Sequence, residues 1–189
     1  MKVYSKEEFF VNKKDLFKKI SGDATFIHPT DTIYGLGCNA ANEEAVKDLR
    51  KIKQQFDRAF SVIAPSKEWI LENCEVPEEH RAQLDKLPGP FTFILNLRRP
   101  NVVANSTNLG RDNLGVRIPN HWFSEVATEL NLPIVTSSAN IVGKAPFTHM
   151  EDLDSSISKS ISFAVYEGPK KGQPSTIIDL TKKEPSTLR

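Results

Sequence analysis

Along the chain, short apolar runs rich in β-branched and aromatic residues alternate with segments of helical spacing. Lys13–Ile20 reads as a short helix with Leu16, Phe17 and Ile20 inward. Asn42–Ile52 reads as a longer one: Asn42 caps it, Glu43 and Glu44 suit its positive end, and Ala45, Val46, Leu49 and Ile52 form one face. Ser66 caps a helix through about Asn73, and further helices are expected over His80–Leu84 and Trp122–Leu130. The predicted strands are Ala24–His28, Phe60–Ala64, Phe91–Asn96, Gly115–Ile118, Ile134–Thr136, Ile161–Tyr166 and Thr176–Leu180. This mixture predicts an α/β fold with a largely covered sheet, although strand order is not legible. The polar stretches Arg99–Asn113 and Gly168–Pro174 are expected to be mobile loops.

Composition narrows this little. A length of 189 residues suits a single domain, 1–189, able to bury a substantial core. Twenty-five Lys and Arg against 24 Asp and Glu give no overall bias toward nucleic acid or membrane. The two cysteines, Cys38 and Cys74, form no CxxC pair, so a reducing compartment is expected. No apolar run is long enough to span a bilayer, and the charged start MKVYSKEEFF has no secretory core, so the expected location is the cytoplasm.

Standard chemical motifs are missing. There is no GxxxxGK[ST] or GxGxxG loop, no HExxH and no GxSxG elbow, and the four histidines are scattered, so no zinc site is expected. What remains is polar clusters at strand ends. Pro29–Gly37 follows an apolar strand with hydroxyls, a carboxylate and close glycines; it could surround a small polar substrate or be a glycine-punctuated turn. Arg117, inside the apolar Leu114–Pro119, needs an anion or a structural carboxylate. Thr136–Asn140 ends an apolar strand with three hydroxyls and an amide, as an anion nest or as a helix cap. Gly172–Leu180 is a loop beside Lys170 and Lys171 running into a strand; it could equally be a plain hairpin. Lys51 and Lys53 either complement a helix dipole or reach an anion site.

Five stretches, in order, carry a resemblance: TDTIYGLGCNA (30–40), PGPFTFIL (88–95), LGVRIPNH (114–121), PIVTSSAN (133–140) and PSTIIDLT (174–181). Together they resemble the YrdC/TsaC family of threonylcarbamoyl-adenylate synthases, over about residues 23–189. The resemblance implies a twisted open α/β mixed sheet with flanking helices and a concave polar ligand face, in the short, single-domain type. It implies ATP with Mg2+, L-threonine and bicarbonate as ligands, a weak contact to tRNA, and downstream tRNA-modification proteins as partners.

Matched motif by motif, the resemblance makes Lys53 and Arg117 the catalytic cations. It assigns threonine to Thr32, Arg117, Ser138 and Ser175, and ATP to Lys53, Gln55, Ser138, Asn140 and Arg189. One segment departs from the pattern. Gln55 stands where the family has Arg, Ala59 where it has Pro, and the segment is about one residue shorter. Glutamine keeps hydrogen bonding but loses the charge and the planar fork. Either activity is weakened, or Arg58 takes over, or the chain is a divergent paralogue of the YciO kind that binds nucleotide or RNA without this synthesis. A pure RNA-binding module is disfavoured, because no stripe of Lys and Arg interleaved with aromatics is present.

Overall fold

The computed structural model describes residues 1–189. In chain order its elements are β1 (Lys2–Tyr4), α1 (Lys6–Val11), α2 (Lys13–Ser21), β2 (Phe26–His28), β3 (Gly35–Gly37), α3 (Glu43–Lys53), β4 (Ser61–Ile63), α4 (Lys67–Asn73) and β5 (Cys74–Glu75). A 3-10 helix (Glu78–Lys86) leads to β6 (Phe91–Leu97), α5 (Asn105–Asn108), β7 (Asn113–Arg117), α6 (Ser124–Leu130) and β8 (Ile134–Ser138). A second 3-10 turn (Met150–Asp152), α7 (Ser155–Ser160), β9 (Phe163–Val165), β10 (Thr176–Asp179) and β11 (Ser186–Thr187) complete the chain.

The strands form one open mixed sheet in the order β1-β9-β2-β3-β8-β4-β7-β6-β10-β11, with β5 pairing the far end of β6. Alternation of side chains across each strand divides the core in two. Ile27, Val62, Phe93, Val116, Val135 and Ala164 pack with α3, α4 and α7 in the larger cluster. Phe26, Ile63, Ile134, Phe163 and Val165 face the other way, onto Phe9 of α1, Leu16 and Ile20 of α2, and Phe123 and Val126 of α6. Each large side chain taken fully from water contributes about 1.5–3 kcal/mol before entropy is counted.

The long helix follows the predicted pattern. Asn42 accepts from the Glu44 and Ala45 amides, and Ala45, Val46 and Leu49 are buried. It ends in a Schellman arrangement with Gln54 in the left-handed region (φ 54°): the Gln55 amide donates to Arg50 O and the Gln54 amide to Lys51 O.

Several expectations change. Phe17 is only partly buried, whereas Phe9, on the unpredicted α1, is fully so. Residues 99–113 are not a free loop. They contain α5, with Thr107 and Asn108 buried, because α3 and its N-terminal approach supply polar partners. Ser106 Oγ donates to Glu43 (2.5 Å) and Thr107 Oγ1 to Ala40 O (2.8 Å). The strand expected to stop at Thr136 continues to Ser138, because β3 pairs with it there: Gly35 with Ser138 and Leu36 with Ser137.

Candidate functional site

One half of the second sheet face is left uncovered, and the residues there are small. Paired residues on neighbouring strands share a face. Gly35 is paired with Ser138, Thr136 with Ser61, Ser61 with Gly115, and Ile177 with Thr92. Above this row is a cleft of about 280 Å³, walled by the Thr30–Gly35 turn, the Gln55–Ser61 loop, Pro174 and Ser175. A Cβ at Gly35 would lie 2.6 Å from His28 Nε2, and one at Gly172 would overlap the Thr32 carbonyl oxygen. Close approach thus requires glycine at both positions.

Three arginines, Arg58, Arg117 and Arg189, line the cleft, together with the hydroxyls of Thr30, Thr32, Ser61, Thr92, Thr136, Ser137, Ser138 and Ser175, and no Asp or Glu side chain does. Arg117 Nη2 donates to Asp31 Oδ1 (2.6 Å), whose Oδ2 accepts from the Asn120 amide (2.9 Å). Arg117 is 5% exposed; burial works to lower its pKa, and Asp31 opposes that. Guanidinium remains charged in proteins. Its Nη1 reaches Thr32 Oγ1 at 3.4 Å, and its Nε has no partner although buried. An unpaired buried donor is costly unless a ligand completes it. Thr30 gives its hydroxyl proton to Ile33 O (2.7 Å), so Thr32 is the donor in the 2.9 Å contact between their hydroxyls. Ser175 Oγ meets Thr92 Oγ1 at 2.8 Å, and Arg189 Nε donates to Ser175 O (3.3 Å).

Thr32, Gln55, Arg117, Ser138, Ser175 and Arg189 are therefore brought to one cleft. Lys53 and Asn140 are not among its lining. The Lys53 ammonium sits behind the strand end, donating to Ser138 O (2.5 Å) and Asn140 O (2.9 Å), with Ser138 Oγ and Asn140 Oδ1 at 3.3 and 3.2 Å. Burial pulls its pKa down to about 8, so it is mostly protonated at neutral pH. These bonds tie the end of α3 to the Ser138–Asn140 segment. That segment is neither a helix cap nor a backbone nest: Ala139 N donates to Tyr34 O and Asn140 N to Ser138 O.

Other residues support the walls. Arg50, 5% exposed, donates to Ser106 O (2.6 Å), Gln55 O (2.8 Å), Arg58 O (3.0 Å) and Thr107 O (3.3 Å), and lies 4.4 Å from the Phe60 ring centroid. Glu167 anchors the base of the 168–174 loop by accepting from His121 Nε2 (2.7 Å), Trp122 Nε1 (2.9 Å) and Lys170 Nζ (2.7 Å). Burial opposes its ionisation, but the bonds from Lys170, Trp122 and His121 hold its carboxyl down to about 2. Thr136, in the hydroxyl cluster named from the sequence, also lines the cleft, whereas Ser61, Thr92 and Arg50 were not among the candidates. A small residue in an otherwise apolar strand was the available signal for Ser61.

No cluster of three or more His, Cys, Asp or Glu side chains is placed to hold a metal. With no Asp or Glu side chain in the cleft, the side-chain donor set does not fit a divalent cation held by the protein itself. No helix is long and apolar enough to cross a membrane.

The fold and site define an open α/β sheet protein with an arginine- and hydroxyl-lined cleft on its uncovered face. The chain belongs to the Sua5/YciO/YrdC family, whose model, described as "Telomere recombination", matches residues 18–189. A protein of Methanocaldococcus jannaschii, named provisionally as a threonylcarbamoyl-AMP synthase, is 33% identical over 180 residues, covering 92% of this chain and 83% of its own. Sua5 of P. abyssi, solved with L-threonine, superposes with a TM-score of 0.88 at 30% identity; the match covers 100% of this chain but only 56% of that one. YciO of E. coli shares the fold (TM-score 0.86, 21% identity, 100% and 95% covered).

Proposed function

We infer that the chain makes threonylcarbamoyl-AMP and pyrophosphate from L-threonine, bicarbonate and ATP, as a nucleotidyltransferase. The observation that carries this is the cleft itself: three arginines, a row of hydroxyls and no Asp or Glu side chain, in a member of this family. The threonine amine takes up bicarbonate with loss of water, giving a carbamate. A carbamate oxygen attacks the α-phosphorus in line, the bond to the β-phosphate oxygen breaks, and pyrophosphate leaves. No covalent enzyme intermediate is required, in keeping with the lack of a nucleophile motif.

The side chains serve by positioning and by charge. Arg117 is prepared for an anion by its unpartnered Nε and is held by Asp31. Thr32 and Ser175 offer hydroxyls beside it, and Ser138 borders the same space. Lys53 acts by holding Ser138 and Asn140 in place. Magnesium in this reading arrives on the phosphates of the nucleotide as part of the substrate. The reaction is cytoplasmic, tRNA contact is weak, and the product passes to downstream tRNA-modification proteins.

A second reading, a nucleotide- or RNA-binding paralogue without this synthesis, rests on Gln55, which gives the cleft an amide where the family pattern has a guanidinium. A pyrophosphate-release assay separates the two. Release requiring both threonine and bicarbonate supports the synthase; equal release with threonine omitted overturns it.

A further inference from the structure

The connection from β9 to β10 has to cross most of the molecule. In the strand order these two lie seven places apart, with β2, β3, β8, β4, β7 and β6 between them. Neighbouring strands are about 4.8 Å apart, so the crossing covers about 34 Å along the sheet. Residues 166–175 alone bridge Val165 and Thr176. Fully extended, that length of chain reaches about 36–40 Å. The crossover therefore runs nearly extended, and beyond the bend at Gly168 (φ 100°) it contains no turn. Residues 171–174 make no backbone hydrogen bond. Yet this strap forms part of the cleft: Pro174 and Ser175 line it, and a Cβ at Gly172 would overlap the Thr32 carbonyl oxygen.

With its middle unbonded, the strap depends on its two ends. At the β10 end, Ser175 Oγ meets Thr92 Oγ1 (2.8 Å) and Thr176 N donates to Pro90 O (3.0 Å). At the β9 end, the hydroxyl of the buried Tyr34 donates to Gly168 O (2.6 Å) and accepts from Glu167 N (3.0 Å). The Glu167 side chain adds a stronger fastening. One of its oxygens takes His121 Nε2 and Lys170 Nζ, each at 2.7 Å, and the other takes Trp122 Nε1 (2.9 Å). The Phe123 amide donates to His121 Nδ1 (3.2 Å), so Nε2 carries the proton and the neutral ring already donates to Glu167. Glu167 itself does not line the cleft.

We propose that Glu167 is a positioning residue for the cleft: it fixes one end of a taut strap, and the strap sets how closely Gly172 and Ser175 stand beside Thr32. For its ligand, L-threonine, this rests on the synthase reading. A wall held in place beforehand spares the ligand the cost of ordering it. Slackening the strap weakens binding without removing any group that meets the ligand.

The test uses the intact chain, with L-threonine as probe, in wild type, Glu167→Gln and Glu167→Asp. Four quantities are measured: melting temperature, calorimetric threonine affinity, threonine-dependent pyrophosphate release, and the rate of tryptic cleavage after Lys171, in the unbonded part of the strap. The glutamine amide nitrogen cannot accept, so Glu167→Gln loses at least one of the three donors as well as the charge. It should speed cleavage at Lys171 and raise Kd and KM for threonine by about tenfold, with kcat and melting temperature near wild type. Glu167→Asp keeps the charge and should recover part of both losses. Unchanged cleavage in Glu167→Gln overturns the proposal, and so does a rise shared equally by all other lysines, which means global unfolding. Faster cleavage at Lys171 with unchanged threonine affinity, or with a fall in kcat alone, also overturns the positioning role. A wild-type protein that neither binds threonine nor releases pyrophosphate sinks the synthase reading instead, while the cleavage rates still decide whether Glu167 holds the strap.

Discussion

Two positions along the same strands separate a sealed part of this molecule from its polar cleft. On β4 and β8, Ile63 faces Ile134, and both are sealed under α6 and its neighbours. On the same strands and the same face, Ser61 pairs with Thr136, and both line the cleft. The covered half continues through Phe26 and Phe163, stacked with centroids 5.1 Å apart. The open half continues through Gly35, Gly115 and Arg117. The cleft is therefore not a gap between domains. It is made by residue size: large apolar side chains attract a helical layer, whereas glycine, serine and threonine leave a hollow with hydroxyls on its floor.

If the halves are as distinct as this, single changes should separate stability from activity. The largest stability effect is expected from Phe163→Ala, which removes a buried ring stacked on Phe26 in the covered half. About 3–5 kcal/mol should be lost in urea denaturation, from burial plus cavity terms, while the folded fraction keeps wild-type specific activity. A loss of activity in the folded fraction would show that the two halves are mechanically coupled.

Arg117→Ala tests the open half. Per folded molecule, threonine-dependent pyrophosphate release should fall by about two to three orders of magnitude, the usual cost of one charge-stabilising donor. Some stability should go too, because Asp31 is left with only the Asn120 amide. Full activity in the folded fraction would make the Arg117–Asp31 pair purely structural.

The border between the halves gives the smallest effect, and it depends on pH. His28 is fully buried and stacked on Phe123 at 4.9 Å. The Pro29 carbonyl can only accept, so Nδ1 carries the proton and the Nε2 lone pair faces Gly35 without a donor. Burial pushes its pKa down to about 3 from an ordinary value near 6.5. The unfolded chain therefore binds a proton that the folded one rejects. This contribution is complete above the unfolded pKa and shrinks as pH falls toward 3, by about 1.4 kcal/mol per pH unit. Denaturation midpoints at pH 7 and pH 5 should differ in this sense for wild type and less for His28→Gln. An identical pH slope in the variant would mean other groups carry it.

Much of the site was legible in the sequence. Thr32, Arg117, Ser138 and Ser175 stand out as polar residues where apolar strands end, and the structure gathers them. Others were not legible because their place depends on pairing. Ser61 and Thr136 share the floor only because β4 and β8 run antiparallel in this register. Lys53 reads as a cation for the cleft, yet it faces the carbonyls of the Ser138–Asn140 segment, because the last turn of α3 presents it to the end of β8. Residues 99–113 read as a loop because their polar side chains find partners only in distant residues such as Glu43 and Ala40.

Spacing and side-chain chemistry within a few residues were enough to fix α3, the strands β2, β4 and β6–β10 to within a few residues, the caps at Asn42 and Ser66, and the supply of hydroxyls and arginines. Which face of the sheet stayed bare and which arginine stayed free were set by the assembled fold. Both depend on strand order and on carbonyl partners far apart in the chain, and no local pattern encodes those.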